Sequence, residues 1–253
     1  MKIVVLMKDV PDLVDELEVE DGVLALEDMT FVPSEWDDQA LEEALLIKEE
    51  EGADVFVAAI DTGDVDTMLY TALAKGADQA VKIVGDFSRT LTNRERAKLF
   101  ADFLRTASAD LVLTGVQAID DLDGQIAGLV AGALGVVHAS VVRDVHTADG
   151  QVQFIQEYSG GRMAEFSAKT PALLGVQAAR KPPRYVTIAK VRQVQKSGEI
   201  TEVEGNLTET PTLAVRRVYQ PVAQGHAEMW GDDVDEVAEN IIRLLEDKKL
   251  LRG

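Results

Sequence analysis

The feature that most constrains this chain is an alternation that begins at its third residue. Short apolar runs at Ile3 to Met7, Val55 to Ile60, Ala80 to Val84 and Leu111 to Leu113 are separated by stretches with helical spacing. Ile3-Val4-Val5-Leu6-Met7 offers no polar face, as a strand covered on both sides does. Between the runs, Asp37 to Glu51 places Leu41, Ala44, Leu45 and Lys48 three and four apart, and Val65 to Lys75 and Arg94 to Ala107 are also helical in pattern. Strand and helix therefore alternate, which predicts a parallel sheet.

A further helix is predicted from Asp123 to Leu134, dense in Ala and Gly and so able to pack closely on a sheet or a ligand. Beyond it the period changes to two. Val141 to Val145, Val152 to Tyr158 and Arg162 to Phe166, with turns at Ala148-Asp149-Gly150 and Ser159-Gly160-Gly161, read as an antiparallel meander. The run Pro171 to Val176 then returns to the sheet. A polar segment from Lys196 to Pro211 follows, and Asp232 to Leu251 is an amphipathic helix with Val234, Val237, Ile241, Leu244 and Leu245 on one stripe. The expected division is an α/β domain over residues 1–195 and a C-terminal extension over 196–253 whose helix docks on a partner.

Composition excludes several kinds of chemistry. With no cysteine there are no disulfides, thiolate metal sites, iron–sulfur ligands or thiol nucleophiles. The three histidines, His138, His146 and His226, have no metal-ligand spacing, so no metal site is expected, and no serine stands in a nucleophile elbow. A formal charge of −20 over 253 residues disfavours nucleic acid and anionic lipid as partners. No stretch has the length for membrane insertion, and the N-terminus lacks the apolar length of a signal peptide, so a soluble cytoplasmic protein is expected. The chain reads as a binder rather than a hydrolase or transferase.

That charge is unevenly spread. Residues 1–60 hold 18 acids against the three bases Lys2, Lys8 and Lys48. From Arg180 to Lys196 the sign inverts, with Arg180, Lys181, Arg184, Lys190, Arg192 and Lys196 and no acid, which suggests a contact face for an acidic partner.

The best ligand-loop candidate, Leu113 to Gln125, leaves a buried strand and enters a helix rich in small residues. Open α/β sheets bind nucleotides at such places, with phosphate against a helix N-terminus. Asp120, Asp121 and Asp123 would repel phosphate at contact distance, so backbone N–H groups near Gly124 to Gly128 would have to hold it. The other reading, that the aspartates only cap the helix, stands level with it on pattern alone. Neither GxGxxG nor GxxxxGK[ST] occurs. Asp61-Thr62-Gly63 is a second strand-to-helix loop. Trp36 stands among Glu35, Asp37 and Asp38, where packing is the ordinary role.

Four separated segments carry a resemblance: Ser34-Glu35-Trp36-Asp37-Asp38-Gln39-Ala40-Leu41-Glu42-Glu43-Ala44, Ala72-Leu73-Ala74-Lys75-Gly76-Ala77-Asp78, Gly115-Val116-Gln117-Ala118-Ile119-Asp120-Asp121 and Pro183-Arg184-Tyr185-Val186-Thr187-Ile188. In order over roughly residues 1–195, they resemble the beta (small) subunit of electron-transfer flavoproteins. Glu35-Trp36-Asp37-Asp38 with Arg217-Val218-Tyr219 is similar to the branch found in methylotrophic bacteria. The resemblance implies a three-layer α/β fold of the Rossmann-like nucleotide-binding type with an antiparallel meander and a C-terminal helical arm. It also implies an electron carrier rather than an enzyme. In that family an alpha subunit holds most of the FAD and the beta subunit binds AMP. Electrons come from acyl-CoA or amine dehydrogenases and go to a quinone oxidoreductase or another acceptor, in the cytoplasm or, in a eukaryote, the mitochondrial matrix.

By position, the resemblance places Leu6, Ser34, Asp61, Thr62, Gly63, Gly115, Gln117, Asp120, Asp121, Gly124, Gln125, Ile126, Ala127 and Gly128 around AMP. Trp36 would approach the flavin. It places a docking segment at Arg184, Tyr185, Ile188, Lys190 and Arg192, with Ile188 as aliphatic anchor; the alternative is that Tyr185 to Ile188 form another core strand. The sequence departs from the family pattern at Ile126 and Ala127, where threonine and glycine are usual, at Ser34, where asparagine is usual, and at Ser159, where many members carry an acid. Some relatives hold a second FAD in place of AMP and split electron pairs, and a stand-alone ATP-binding sensor is the reading from a different class. Asp120-Asp121-Leu122-Asp123 resembles the AMP type.

Overall fold

The structure, a computed structural model, describes residues 1–14, 17–26, 29–121, 123–207, 216–222, 225 and 227–251. Leu122 of the predicted loop, His226 and residues 208–211 of the predicted polar segment lie outside the described residues. The described chain divides into two compact units, one of residues 1–18 and 24–216, the other of 19–23 and 217–253.

In chain order the strands are β1 (Lys2–Leu6), β2 (Asp9–Pro11), β3 (Val19–Glu20), β4 (Val23–Leu24), β5 (Phe31–Pro33), β6 (Asp54–Ile60), β7 (Gln79–Val84), β8 (Leu111–Gly115), β9 (Val137–Ala148), β10 (Gln151–Tyr158), β11 (Arg162–Lys169), β12 (Ala172–Val176) and β13 (Ile200–Glu204). The helices are α1 (Glu35–Glu51), α2 (Asp66–Lys75), α3 (Asn93–Ala107), α4 (Gln125–Leu134), α5 (Ile188–Ser197) and α6 (Val234–Asp247). One nine-stranded sheet runs β11-β10-β9-β12-β8-β1-β6-β7-β13. From β9 to β13 every pairing is parallel, while β10 pairs antiparallel with β9 and β11. The α/β fold with a mostly parallel sheet and a meander is thus as the sequence predicts.

β1 sits at the centre because it can bury both faces: Ile3, Val4, Val5 and Leu6 are each at most 1% exposed. Ile3 and Val5 join Leu41, Leu45, Leu69 and Leu113 in one cluster beneath α1 and α2. Val4 and Leu6 join Leu99, Phe100, Leu104 and Val130 in another, beneath α3 and α4. Helices on both faces make three layers. Full burial of each such side chain contributes about 1.5–3 kcal/mol, which is why an unbroken apolar run belongs in the middle of the sheet.

Three features depart from the sequence reading. β9 begins at Val137 and is kinked by positive φ at Val141 (61°) and Asp144 (51°). Its registers with β12 and β10 shift at those places, so one long strand serves a parallel and an antiparallel neighbour. The polar segment after Lys196 contains β13, which pairs parallel with β7 as an edge strand and places the sheet's last strand beyond residue 195. Residues 188–197 form α5, which packs on α2.

The sheet order fixes a crevice. From β1 the chain winds outward through β6 and β7, then returns to lay β8 on the opposite side of β1. The carboxyl ends of β1 and β8 therefore diverge into a topological switch point, where connections leave in opposite directions.

Candidate functional site

α1 is drawn into that crevice by Asp37. Its carboxylate accepts the Lys8 N–H at 3.0 Å and the Gly115 N–H at 2.8 Å, tying the helix to the ends of β1 and β8. Ser34 precedes α1, and its N–H donates to the Lys8 carbonyl at 3.0 Å. Burial raises the Asp37 pKa to about 7, against the lowering effect of the two N–H donors and of Lys8. Gly115 is obligatory here: a Cβ on it would lie 2.7 Å from Asp37 Oδ1 and from Trp36 Cβ.

The resulting cleft is lined by Leu6, Met7, Lys8, Asp37, Arg96, Phe100, Thr114, Gly115, Val116, Gln117, Ala118, Asp121, Gly124 and Ile126. Of the predicted nucleotide residues it gathers Leu6, Gly115, Gln117, Asp121, Gly124 and Ile126. Asp120 reaches its edge through an ion pair to Lys8 at 2.5 Å. Ser34 lies at the start of α1 with its Oγ sealed from solvent and unpartnered, an unusual state for a buried hydroxyl. Trp36 follows it, half-buried.

Other predicted residues fall outside the lining. Ala127 faces the core and Gly128 is exposed on α4, while Gln125 donates to Asp123 at 3.1 Å. Asp61, Thr62 and Gly63 form the loop after β6, beneath the Arg89 guanidinium, which would meet a Cβ on Gly63 at 2.0 Å. Arg89 is itself held by Asp9 at 2.6 Å and stacked 3.6 Å from the Phe31 ring centroid.

The aspartates of the loop do not cap α4. Its N-cap is Gly124, with no side-chain bond, no acid in the first turn and φ of 60°. The first N–H groups of α4 are thereby left without a side-chain acceptor, which favours an anion site over the capping reading. A Cβ on Gly124 would come 2.4 Å from the Val116 carbonyl oxygen. Gly124→Ala is expected to lower stability by about 1–3 kcal/mol in urea unfolding, since left-handed backbone and steric strain act together; a change below a few tenths would mean the loop relaxes freely.

Sequence reasoning missed Lys8, Asp37, Phe100 and, above all, Arg96 as cleft residues. Burial pushes the Arg96 pKa down, while Asp120, Asp9 and Asp121 pull it back up. A signal was present: Arg96 precedes Leu99, Phe100 and Leu104 by three, four and eight positions, so it is a base on the apolar stripe of a helix.

The predicted docking segment separates into two parts. Arg184 donates to Glu42 through Nε and Nη2 at 2.9 Å and to Glu49 at 2.6 Å, and Arg180 pairs with Glu43 at 2.8 Å and Glu50 at 2.7 Å. These two bases are neutralised by α1. Tyr185 and Ile188 are 84% and 67% exposed, outside any strand, and Ile188 opens α5 after the Thr187 cap. Lys190 and Arg192 are exposed on α5. His138 lies on β9, bonded to Ser140 Oγ at 3.0 Å. Among the described residues no cluster of three His, Asp or Glu suits a metal, and no helix is long and apolar enough to cross a membrane.

A cleft at the switch point of a three-layer, mostly parallel α/β sheet is the place at which open α/β proteins bind their ligands. Comparison with known proteins narrows this. Residues 21–207 match the family model described as "Electron transfer flavoprotein domain". The chain is 32% identical to the electron transfer flavoprotein subunit beta of Methylophilus methylotrophus, covering 98% of this chain and 99% of that one. It is 29% identical to the caffeyl-CoA reductase-Etf complex subunit CarD of Acetobacterium woodii, over 99% and 100%. With the subunit beta of Bacillus subtilis the identity is 22%, over 99% and 100%. The chain belongs to the electron transfer flavoprotein family, as a beta-type subunit and an electron carrier rather than an enzyme.

Proposed function

We propose that this chain is the beta subunit of a heterodimer in which the cleft between β1 and β8 binds AMP as a structural ligand and the alpha subunit holds most of a redox FAD. The observation that carries the AMP reading is the uncapped N-terminus of α4 facing a cleft at the switch point. Ser34 Oγ, buried and unpartnered, is a further group that a nucleotide could satisfy. Trp36, half-buried and packed against Gly115 beside the cleft, is suited to contact the flavin from this side. Bound FAD supplies the redox chemistry, while this chain's residues fix its surroundings and the approach of partners.

In this reading the exposed stripe of α6, including Ile241 and Leu244, docks on the alpha subunit, and the C-terminal extension serves that contact. Ile188 and Tyr185 anchor a donor dehydrogenase, of the acyl-CoA or amine class, with Lys190 and Arg192 steering it. A small contact of this kind suits a shuttle that must release its partner, with a quinone oxidoreductase or another acceptor receiving the electrons.

The test is to purify the complex, precipitate the protein and quantify released nucleotides per polypeptide by mass spectrometry. One AMP and one FAD are expected. Two FAD and no AMP would replace this reading with the electron-splitting variant, and a lone chain carrying ATP would overturn both. For docking, Ile188→Ala should slow electron transfer from the dehydrogenase by roughly tenfold through a weaker complex, with FAD per chain unchanged. Loss of FAD in that variant would make Ile188 a structural residue.

A further inference from the structure

Arg96 is 5% exposed, yet it forms no ion pair with any described residue. Its Nε donates to the Leu91 carbonyl at 3.3 Å and its Nη2 to the Arg89 carbonyl at 3.1 Å. A guanidinium has five N–H donors, so about three remain without a protein acceptor. Of the nearby acids, Asp9 holds Arg89 and Asp120 holds Lys8, while Asp121 offsets the Arg96 charge without a hydrogen bond to it. The sealed, unpartnered side-chain atoms of the described chain are Ser34 Oγ and Arg180 Nη2, so Arg96 Nη1 is not closed off in the interior. Arg96 lines the cleft together with Lys8, Gln117, Asp121 and Gly124.

A nearly buried, permanently charged group with unused donors is costly unless an anion meets it. The same cleft receives the uncapped start of α4, a second electropositive element. It also contains the Asp121 carboxylate, which accepts hydroxyl donors and repels phosphate. Cationic and acidic groups in one cleft suit a ligand with an anion at one end and hydroxyls at the other, as in a nucleoside monophosphate.

We propose that Arg96 is the specificity-determining residue by which this cleft selects a phosphorylated nucleotide over the bare nucleoside, an inference that rests on the AMP reading above. Its planar fork grips phosphate oxygens with the donors that the Leu91 and Arg89 carbonyls leave free. Lysine keeps the charge and loses the fork. Asp121 faces the ribose hydroxyls.

The test uses the whole heterodimer. AMP and FAD per chain are measured after acid precipitation for wild type, Arg96→Met and Arg96→Lys. Expected are one AMP in wild type, at least a tenfold loss in Arg96→Met and an intermediate value in Arg96→Lys. Full AMP in Arg96→Met overturns the proposal. Wild type lacking AMP instead overturns the underlying reading, so the two failures are distinct. Because a buried substitution can prevent folding, a second measurement uses wild type alone. The complex is refolded from urea with AMP or with adenosine, and recovered FAD is read against concentration. AMP should act at roughly tenfold to hundredfold lower concentration than adenosine; equal concentrations would overturn the proposal.

Discussion

Glu43→Ala is expected to destabilise the larger unit by about 3–5 kcal/mol, read as a fall in the urea midpoint with little change in slope. Glu43 is fully buried on α1 and accepts the N–H groups of Val145 and Arg180 together with Arg180 Nε, at 3.0, 2.7 and 2.8 Å. Removing it leaves Arg180 Nε and two main-chain donors without their acceptor, with Glu50 still holding Nη1 and Nη2 already sealed without a partner. Glu43→Gln should fall in between, since an amide oxygen still accepts from the main chain but cannot balance the charge. A loss below 1 kcal/mol for the alanine variant would mean that water enters and solvates Arg180.

The same contacts explain what became of the basic window. Glu42 and Glu49, and Glu43 and Glu50, stand seven apart, two turns along one face of α1. Each pair grips one arginine, Arg184 or Arg180, and Ala179 N–H adds a bond to Gln39 at 3.0 Å. The sequence shows an acidic first quarter and a basic window more than 120 residues later. What it does not show is that the fold brings them together, because pairing across such a distance is set by where β12 ends and not by local spacing. An external acidic partner is the natural reading of Arg184 until α1 is seen to claim it. Lys190 and Arg192, beyond the clamp, remain exposed.

Legibility elsewhere followed pattern strength. The four early strands and α1 to α4 are long or strongly apolar, and hydrophobic periodicity suffices to find them. β13, Ile200-Thr201-Glu202-Val203-Glu204, carries two half-buried apolar residues on an edge and depends on β7 for its pairing. α5 has no buried residue and is stabilised by its Thr187 cap and by packing on α2, neither of which gives an apolar stripe of the usual width. For the candidate site, the loop from Gly115 to Ile126 was legible because strand and small-residue helix adjoin in sequence. The cation in the cleft is not legible from that loop, because α3 enters the cleft from a different part of the chain. Arg96 was readable only as a base misplaced on an apolar face.

Stability of the protein without added ligand is expected to fall as pH rises from about 4 to 7, and Asp37→Asn should flatten that slope. Asp37 titrates near 3.8 in the unfolded chain and at about 7 in the fold, because burial outweighs the N–H donors of Gly115 and Lys8 and the Lys8 charge. The folded state therefore holds a proton over this window that the unfolded state releases. Stability is highest where both states are protonated and declines until both are ionised, by roughly 4 kcal/mol at most. Glu43, also raised, first by burial, contributes a slope of the same sign, so the Asn variant and not the wild-type curve alone identifies Asp37. Two arms of the measurement separate the causes: urea midpoints across pH for wild type and for Asp37→Asn. Parallel curves would assign the whole slope to other groups. A wild-type curve that rises with pH in this window would mean the hydrogen bonds from Lys8 and Gly115 outweigh burial, and that ionised Asp37 is the form that stabilises the cleft.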